Sequence, residues 1–190
     1  KVSSVIAGAS AALVAFQAAL YASHGEADLL RPPGAHGEKD FASRCVKCGK
    51  CMEACPYIAI KPARDDAGAA VGTPMIDARA QACRLCEDFP CVEACPTNAL
   101  RDIETRSDVK MGVAVIDEDL CIAFQGMRCE VCYRTCPLID EAIVIDYRLR
   151  EGDAIHSVFA PVIDEDKCVG CGLCVERCVV SEPRVAIRIA

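Results

Sequence analysis

The chain of 190 residues contains no Trp, and aromatic residues make up only 5% of it, so a core of packed aromatic rings is not expected. Basic residues are outnumbered by acidic ones, 21 to 28, which gives a formal net charge of −7. This charge argues against a nucleic-acid-binding protein, because such proteins usually present a basic face. The sequence also has no Cys-x2-Cys-His motif for haem attachment, no phosphate loop and no Ser/His/Asp arrangement. The chain by itself is therefore predicted not to be an enzyme.

Cysteine, in contrast, is several times more frequent than usual, with 16 in the chain. The cysteines form four segments of four, separated by 27, 25 and 31 residues. In chain order the segments are Cys45, Cys48, Cys51 and Cys55; Cys83, Cys86, Cys91 and Cys95; Cys121, Cys129, Cys132 and Cys136; and Cys168, Cys171, Cys174 and Cys178. We refer to them as the first to fourth motifs.

The first motif has the spacing Cys-x2-Cys-x2-Cys-x3-Cys-Pro, and the fourth has the same spacing with Val179 in place of Pro. This is the bacterial ferredoxin signature, in which three cysteines bind one 4Fe–4S cluster and the fourth binds the other cluster of a pair. Zinc sites usually combine two Cys-x2-Cys pairs instead, and disulfides would need distant partners for closely spaced cysteines. The sequence therefore predicts four 4Fe–4S clusters with all sixteen cysteines as iron ligands, and a structural zinc protein remains the less favoured alternative.

The third motif, CIAFQGMRCEVCYRTCP at 121–137, has seven residues between its first two cysteines where the first motif has two. Two observations identify Cys121 as a ligand. The sixteen cysteines make four sets of four only if it is included, and VIDEDLC at 115–121 matches VIDEDKC at 162–168. Residues 122–128 are then an insertion within one cluster site, predicted to cover the cluster or to shape a partner contact.

The segments around the cysteines repeat as well. Each unit is predicted as a short strand, an acidic turn, a cysteine loop with a short helix, and a second strand such as AIVIDYR or VAIRIA. Such regularity indicates internal duplication. The predicted fold is α+β: two bacterial ferredoxin-like modules, each with two 4Fe–4S clusters, and an N-terminal apolar helix. The acidic turns at 117–119 and 164–166 are interpreted as solvated caps, with docking of a basic partner as the alternative.

Residues 2–22 contain no charged side chain, and 21 residues in a helix are long enough to cross about 30 Å of hydrocarbon. We therefore predict an apolar helix over residues 1–24, retained as a membrane anchor, with a signal segment or a buried helix as alternatives. Residues 25–44 include Arg-Pro-Pro-Gly at 31–34 and are predicted to be a stiff linker.

The middle motifs, ACRLCEDFPCVEACPTNAL at 82–100 and CIAFQGMRCEVCYRTCPLIDEAI at 121–143, resemble the NapG/MauM family of ferredoxin-type proteins. LRPPGA at 30–35 and CVGCGLCVERCV at 168–179 are also similar to that family. The resemblance covers roughly residues 29–190, and it favours the NapG branch of periplasmic nitrate reductase systems over the MauM branch of methylamine utilisation.

The resemblance implies an electron-transfer subunit on the periplasmic face of the cytoplasmic membrane. Electrons would pass from a NapH-like membrane subunit that oxidises quinol, through four clusters, towards c-type cytochromes. Export by the twin-arginine route is implied, although no twin arginine occurs in the chain. The alternative is the iron–sulfur subunit of a catalytic oxidoreductase, such as a molybdopterin enzyme or a hydrogenase. Neither the cluster potentials nor the terminal acceptor follows from the sequence.

Similar four-cluster subunits imply a nested pairing of the motifs, first with fourth and second with third. One cluster would then be bound by the first three cysteines of the first motif and Cys178, and its partner by the first three of the fourth motif and Cys55. The corresponding inner exchange is between Cys136 and Cys95. The predicted four-cluster domain, 45–190, accordingly has an outer module of 45–70 with 160–190 and an inner module of 71–159. Sequential pairing, first with second and third with fourth, remains open.

Overall fold

A computed structural model describes residues 29–149 and 157–190, together with residues 152 and 155. The predicted N-terminal helix over residues 1–24 lies outside these residues. None of the helices in the described part of the chain has both the length and the hydrophobicity needed for a membrane span.

The first module is built around an antiparallel pair of three-residue strands, in which Ile60 lies opposite Ile76. A second pair is reduced to a single antiparallel bridge between Ala35 and Leu100, which joins the two ends of the module. In chain order the elements are α1 (Glu38–Arg44), α2 (Lys50–Ala54), β1 (Ile60–Pro62), β2 (Pro74–Ile76) and α3 (Pro90–Glu93), with 3-10 turns at Asp65–Ala70 and Arg106–Asp108.

The second module repeats this plan with longer strands. Its elements are β3 (Ala114–Ile116), α4 (Val131–Thr135), β4 (Ile143–Leu149), β5 (Ser157–Ile163), α5 (Leu173–Arg177) and β6 (Ile187–Ile189). The outer strands β3 and β6 pair antiparallel, and β4 and β5 form an inner hairpin. The predicted strands before and after the cysteine loops are thus confirmed, as is an α+β fold of two ferredoxin-like modules.

The prediction of a linker over 25–44 is wrong for the part that the structure describes. Phe41 of α1 is completely buried, and Arg31 is buried beneath it with its guanidinium 4.7 Å from the ring centre. The Arg31 guanidinium also donates to the Thr73 hydroxyl at 2.7 Å and to the Glu38 carboxylate at 2.8 Å. Residues 30–35 supply the outer strand position of the first module, a tertiary role that the Pro-Pro-Gly sequence did not reveal.

The main hydrophobic core lies in the first module but includes side chains from the fourth motif. Val169, Cys171 and Leu173 pack into the same cluster of buried residues as Phe41 and Ile76. The second module has a smaller core of its own around Val175. The two modules therefore share part of one core.

The acidic turns cap the turns that follow them, as predicted. The Asp117 carboxylate accepts the backbone N–H of Leu120 at 3.3 Å, and the Asp164 carboxylate accepts that of Asp166 at 3.1 Å. Asp77 occupies the same place in the repeat and accepts the backbone N–H of Arg79 at 3.1 Å. These contacts use the side-chain oxygens as local caps for the backbone.

Candidate iron–sulfur sites

The sixteen cysteines converge on four cavities, each lined by three cysteines of one motif and the last cysteine of its neighbour, and Cys132 lines the fourth cavity as well as the third. We number the cavities by the motif that provides three. The four sets are Cys45, Cys48, Cys51 and Cys95; Cys83, Cys86, Cys91 and Cys55; Cys121, Cys129, Cys132 and Cys178; and Cys168, Cys171, Cys174 and Cys136. Their volumes are about 340, 350, 360 and 410 Å³ in that order.

The exchange of the last cysteine shows that the motifs pair sequentially, so the nested pairing is wrong. Cys55 of the first motif lines the second cavity, and Cys95 of the second motif lines the first. Cys136 and Cys178 are exchanged in the same way between the third and fourth motifs. The physical reason is local: α2 packs against α3 and α4 packs against α5, so each helix directs its last cysteine into its neighbour's cavity. The modules are continuous in the chain, and the predicted outer and inner modules do not form.

Cys121 lies with the other members of its motif. It lines the third cavity together with Cys129 and Cys132. The seven residues that separate Cys121 from Cys129 fold back in tight turns, with the N–H of Phe124 donating to the Cys121 carbonyl at 3.0 Å. The insertion therefore closes without displacing either cysteine.

The insertion of 122–128 also rests on the hairpin of β4 and β5. The Arg148 guanidinium lies 5.7 Å from the ring centre of Phe124, and the Arg128 guanidinium lies 5.3 Å from that of Phe159. Both separations are within the range of cation–π attraction. In this structure the insertion is a local cover packed on its own module, and the predicted partner contact is not tested.

The cavities are apolar, and this raises the pKa of many of the thiols. Burial raises the pKa of Cys51 and Cys83 to about 11, and that of Cys91, Cys132 and Cys171 to about 12. A thiolate in such a place needs a positive partner, since burial penalises the charged form. Iron ions that bind thiolates supply that partner.

The donor set fits a cluster better than a single ion. Within the described ranges, no three His, Cys, Asp or Glu side chains meet around one point as they would around a mononuclear metal. The thiols instead line four separate cavities, four or five to each. Backbone N–H groups also face the sulfurs: Ala59 donates to Cys55 at 3.4 Å, and Ala114 donates to Cys168 at 3.4 Å. Such N–H···S bonds tune the potential of an iron–sulfur cluster.

Comparison with known proteins identifies the kind of protein. The family described as 4Fe-4S dicluster domain matches residues 44–99 and 125–181. The ferredoxin-type protein NapG of Escherichia coli strain K12 is 44% identical over 160 residues, which cover 83% of this chain and 69% of that protein. The methylamine utilization ferredoxin-type protein MauM of Methylorubrum extorquens is 41% identical over 170 residues, which cover 88% and 75%. This chain belongs to the NapG/MauM family of ferredoxin-type proteins.

Membership of the NapG/MauM family confirms the resemblance and the cofactor prediction. The two matched stretches are two dicluster domains, so the protein is a four-cluster iron–sulfur protein, in agreement with its 16 cysteines. MauM of Methylobacillus flagellatus is 45% identical over 167 residues, 86% of this chain and 68% of that protein, so percentage identity alone does not separate the branches. The match to the E. coli protein is nevertheless the stronger one, which supports the predicted preference for NapG.

The two modules of this NapG/MauM protein meet at a polar junction that sequence reasoning missed. The Glu176 carboxylate accepts the backbone N–H of Ala82 at 2.7 Å and the Arg84 guanidinium at 2.8 Å. Burial raises the pKa of Glu176, but these two donors outweigh it and leave the pKa lowered. The Arg79 guanidinium donates to three carbonyl groups at the end of α5, at 3.0 to 3.1 Å. The signal available in the sequence was a charged residue, Arg84, inside a short cysteine loop.

Close backbone approach completes the junction. Gly172 has a φ of +83°, and a Cβ atom there would lie 2.6 Å from the Cβ of Ala78. The backbone N–H of Cys83 donates to the Cys171 carbonyl at 3.0 Å, which places a cysteine of the second cavity beside one of the fourth. Any larger residue in place of Gly172 would collide with Ala78 and disturb this close approach.

These contacts put the four cavities in a row. The first and second cavities are neighbours through the exchange of Cys55 and Cys95, and the second adjoins the fourth through Cys83 and Cys171. The fourth adjoins the third because Cys132 lines both. The order in space is thus first, second, fourth, third, and the two ends of the row are the first and third cavities.

Proposed function

We propose that this protein relays electrons one at a time through four 4Fe–4S clusters held in the four cavities. The observation that carries the proposal is the row of cysteine-lined cavities. Within each module the two cavities share cysteine-bearing segments, and between the modules the second cavity adjoins the fourth through the hydrogen bond from Cys83 to Cys171. When bound, each cluster supplies a site that accepts and releases one electron without making or breaking a bond. The sixteen cysteines are proposed as the iron ligands, four to each cavity.

The role of the polypeptide is to hold and insulate the row. The thiol groups anchor the clusters, the apolar walls keep water away, and N–H groups directed at sulfur set the potentials. The junction at Glu176 fixes the second cavity against the fourth, so that electrons can cross between the modules. Binding and insulating the clusters requires no catalytic residue in the chain.

For the wider system we propose a quinol dehydrogenase arrangement at the periplasmic face of the membrane. The donor is a membrane subunit that oxidises quinol, of the NapH type, and the acceptors are c-type cytochromes. Residues 2–22 are proposed to contact the membrane. The support is membership of a family whose relatives are named as ferredoxin-type proteins of the NapG and MauM kinds.

The test is a potentiometric EPR titration of the intact membrane complex with a quinol as electron donor. We expect quinol to produce the signals of reduced 4Fe–4S clusters in the complex, but not in the chain separated from its membrane partner. Dithionite should reduce both preparations. If dithionite reduces the clusters of the complex and quinol reduces none, the relay from quinol is refuted. A molybdopterin subunit that co-purifies in place of a membrane partner would favour the catalytic oxidoreductase instead.

A further inference from the structure

The first cavity is the one whose cysteines reach the surface. Of the sixteen cysteines, all of them in the described part of the chain, only Cys48 is exposed. Its neighbours Val46 and Lys47 line the same cavity and are exposed too, Val46 by 63%. In the fourth motif the residue equivalent to Cys48 is Cys171, which is buried at the junction. The first cavity therefore lies at one end of the row and is separated from solvent by few residues.

The loop over the first cavity is basic, although the chain as a whole is acidic. Arg44, Lys47 and Lys50 are all exposed, and no carboxylate occurs between Asp40 and Glu53. No ion pair involves these three cations among the described residues, and the Lys47 ammonium instead donates to the Val71 carbonyl at 2.6 Å. We call Arg44, Val46, Lys47, Cys48 and Lys50 the basic rim.

The other cysteine loops differ in that their cations are paired: in the third motif, the exposed Arg128 and Arg134 both form ion pairs with Glu130. The second motif carries Glu87 and Asp88 between its cysteines, and its one cation, Arg84, is engaged by Glu176. The fourth motif has no charge between Cys168 and Cys174. At the opposite end of the row, exposed acidic residues at 118–119 precede the third motif. Among the described residues, the loop of the first cavity is therefore the one that presents exposed cations without an ion-pair partner.

We propose that the basic rim is a docking surface for a redox protein with an acidic patch. This partner exchanges electrons with the cluster held in the first cavity, and Cys48 is the ligand nearest to it. The inference rests on the proposed electron-relay function and adds the place and the charge of one partner contact. Complementary charge would speed the encounter and orient the partner. The exposed Val46 gives the contact an apolar centre. Electron-transfer rates fall steeply with the distance between donor and acceptor, so the exposed Cys48 makes this the favoured place for transfer.

The test uses two inert cobalt(III) complexes of opposite charge as small-molecule oxidants, the trianion trisoxalatocobaltate and the trication hexaamminecobalt. The holoprotein is reduced with dithionite and mixed with each complex in a stopped-flow instrument. In each reaction one electron leaves the reduced protein and converts cobalt(III) to cobalt(II). Recovery of the visible absorbance as the clusters are oxidised gives the rate.

The variants are the double charge reversal Arg44→Glu with Lys50→Glu, and the control Arg188→Glu on the exposed face of β6. We expect the double reversal to slow oxidation by the trianion roughly tenfold at low ionic strength and to accelerate oxidation by the trication. Arg188→Glu should change either rate by less than about twofold. In about 1 M salt, where the screening length is about 3 Å, the differences should vanish.

If the logarithm of the rate changed in Arg188→Glu by about half as much as in the double variant, in proportion to the charge change, only net charge would matter and the proposal would be overturned. An unchanged rate in the double variant would also overturn it. If the double variant loses iron, Lys50→Gln against Arg188→Gln compares the two sites with a charge change of one unit each. Because dithionite supplies the electrons, this experiment does not depend on quinol. Its failure is therefore distinguishable from failure of the relay from quinol.

A second measurement addresses the protein partner directly. A carbodiimide joins lysine amines to carboxylates that touch them, so treatment of the intact membrane complex should cross-link Lys47 or Lys50 to an acidic residue of another subunit or bound carrier. Cross-links from this chain that involve only its acidic residues at 117–119 would overturn the proposal.

Discussion

Replacement of Glu176 with Gln should weaken the junction between the two modules. The change keeps the size of the side chain but removes the charge that holds Arg84 at 2.8 Å. An amide oxygen still accepts the backbone N–H of Ala82, so that contact survives in weaker form, while the ion pairs with Arg84 and with the exposed Arg177 at 3.3 Å are lost. The side chain of Glu176 is only 12% exposed, which means that water replaces the lost partner poorly.

The size of the effect follows from these contacts. Hydrogen bonds to charged groups contribute about 1.5–3 kcal/mol, and neutral ones about 1 kcal/mol. Loss of the ion pair and weakening of the Ala82 contact should therefore cost about 2 kcal/mol. Glu176→Ala, which removes the contacts with Ala82 and Arg84 as well as the ion pair with the exposed Arg177, should cost about 3 kcal/mol. If opening of the junction limits cluster loss, about 2 kcal/mol corresponds to a roughly 30-fold faster loss.

The assay is the rate at which visible absorbance bleaches in moderate urea, recorded for the iron-loaded protein. The chain provides matched controls, because Glu53 and Glu93 stand at the same place in the first and second motifs, two residues after the third cysteine, and both are exposed. Glu53→Gln and Glu93→Gln should bleach at close to the unmodified rate. The reasoning is refuted if all three Gln variants behave alike.

Three further predictions concern the cysteines. Cys121→Ser should lose or convert one of the four clusters, seen as lower iron content and an altered EPR spectrum. Cys95→Ser should disturb the first cluster and leave the third and fourth unchanged, which an EPR-monitored titration can resolve. Lower pH should accelerate cluster loss. Burial raises the pKa of Cys171 to about 12, so a proton binds its sulfur tightly and competes with iron for it. Bleaching rates after a pH jump measure this effect.

Each of these has a clear contrary result. Four unchanged clusters in Cys121→Ser would show that the cysteine is not a ligand. A defect of Cys95→Ser that fell on the cluster of the third motif would restore the nested pairing. Cluster loss that slowed as the pH fell from 8 to 6 would contradict the competition between protons and iron.

The cysteine motifs could be recognised from the sequence because their spacing is local. Three cysteines two residues apart can surround one cluster whatever the rest of the chain does, and the strands next to them follow from short alternating patterns. For the same reason Cys121 could be assigned by its flanking sequence, despite the seven residues between it and Cys129. The pairing could not be assigned in this way, because it depends on which short helix packs against which. The nested prediction came from analogy, and contacts between α2 and α3 contradict it.

The order of the cavities and the junction between the modules could not be assigned from local sequence either. Glu53, Glu93 and Glu176 occupy equivalent places in three motifs, and nothing in their immediate sequence distinguishes them. Only Glu176 meets a neighbouring module, because Gly172 lets the fourth motif approach Ala78 closely. The sequence by itself determined the number of clusters, the cysteine ligands and the α+β repeat, since these depend on spacing along the chain. Tertiary packing decided the pairing, the order of the cavities and which cysteine lies at the surface, because these depend on contacts between residues far apart in the chain.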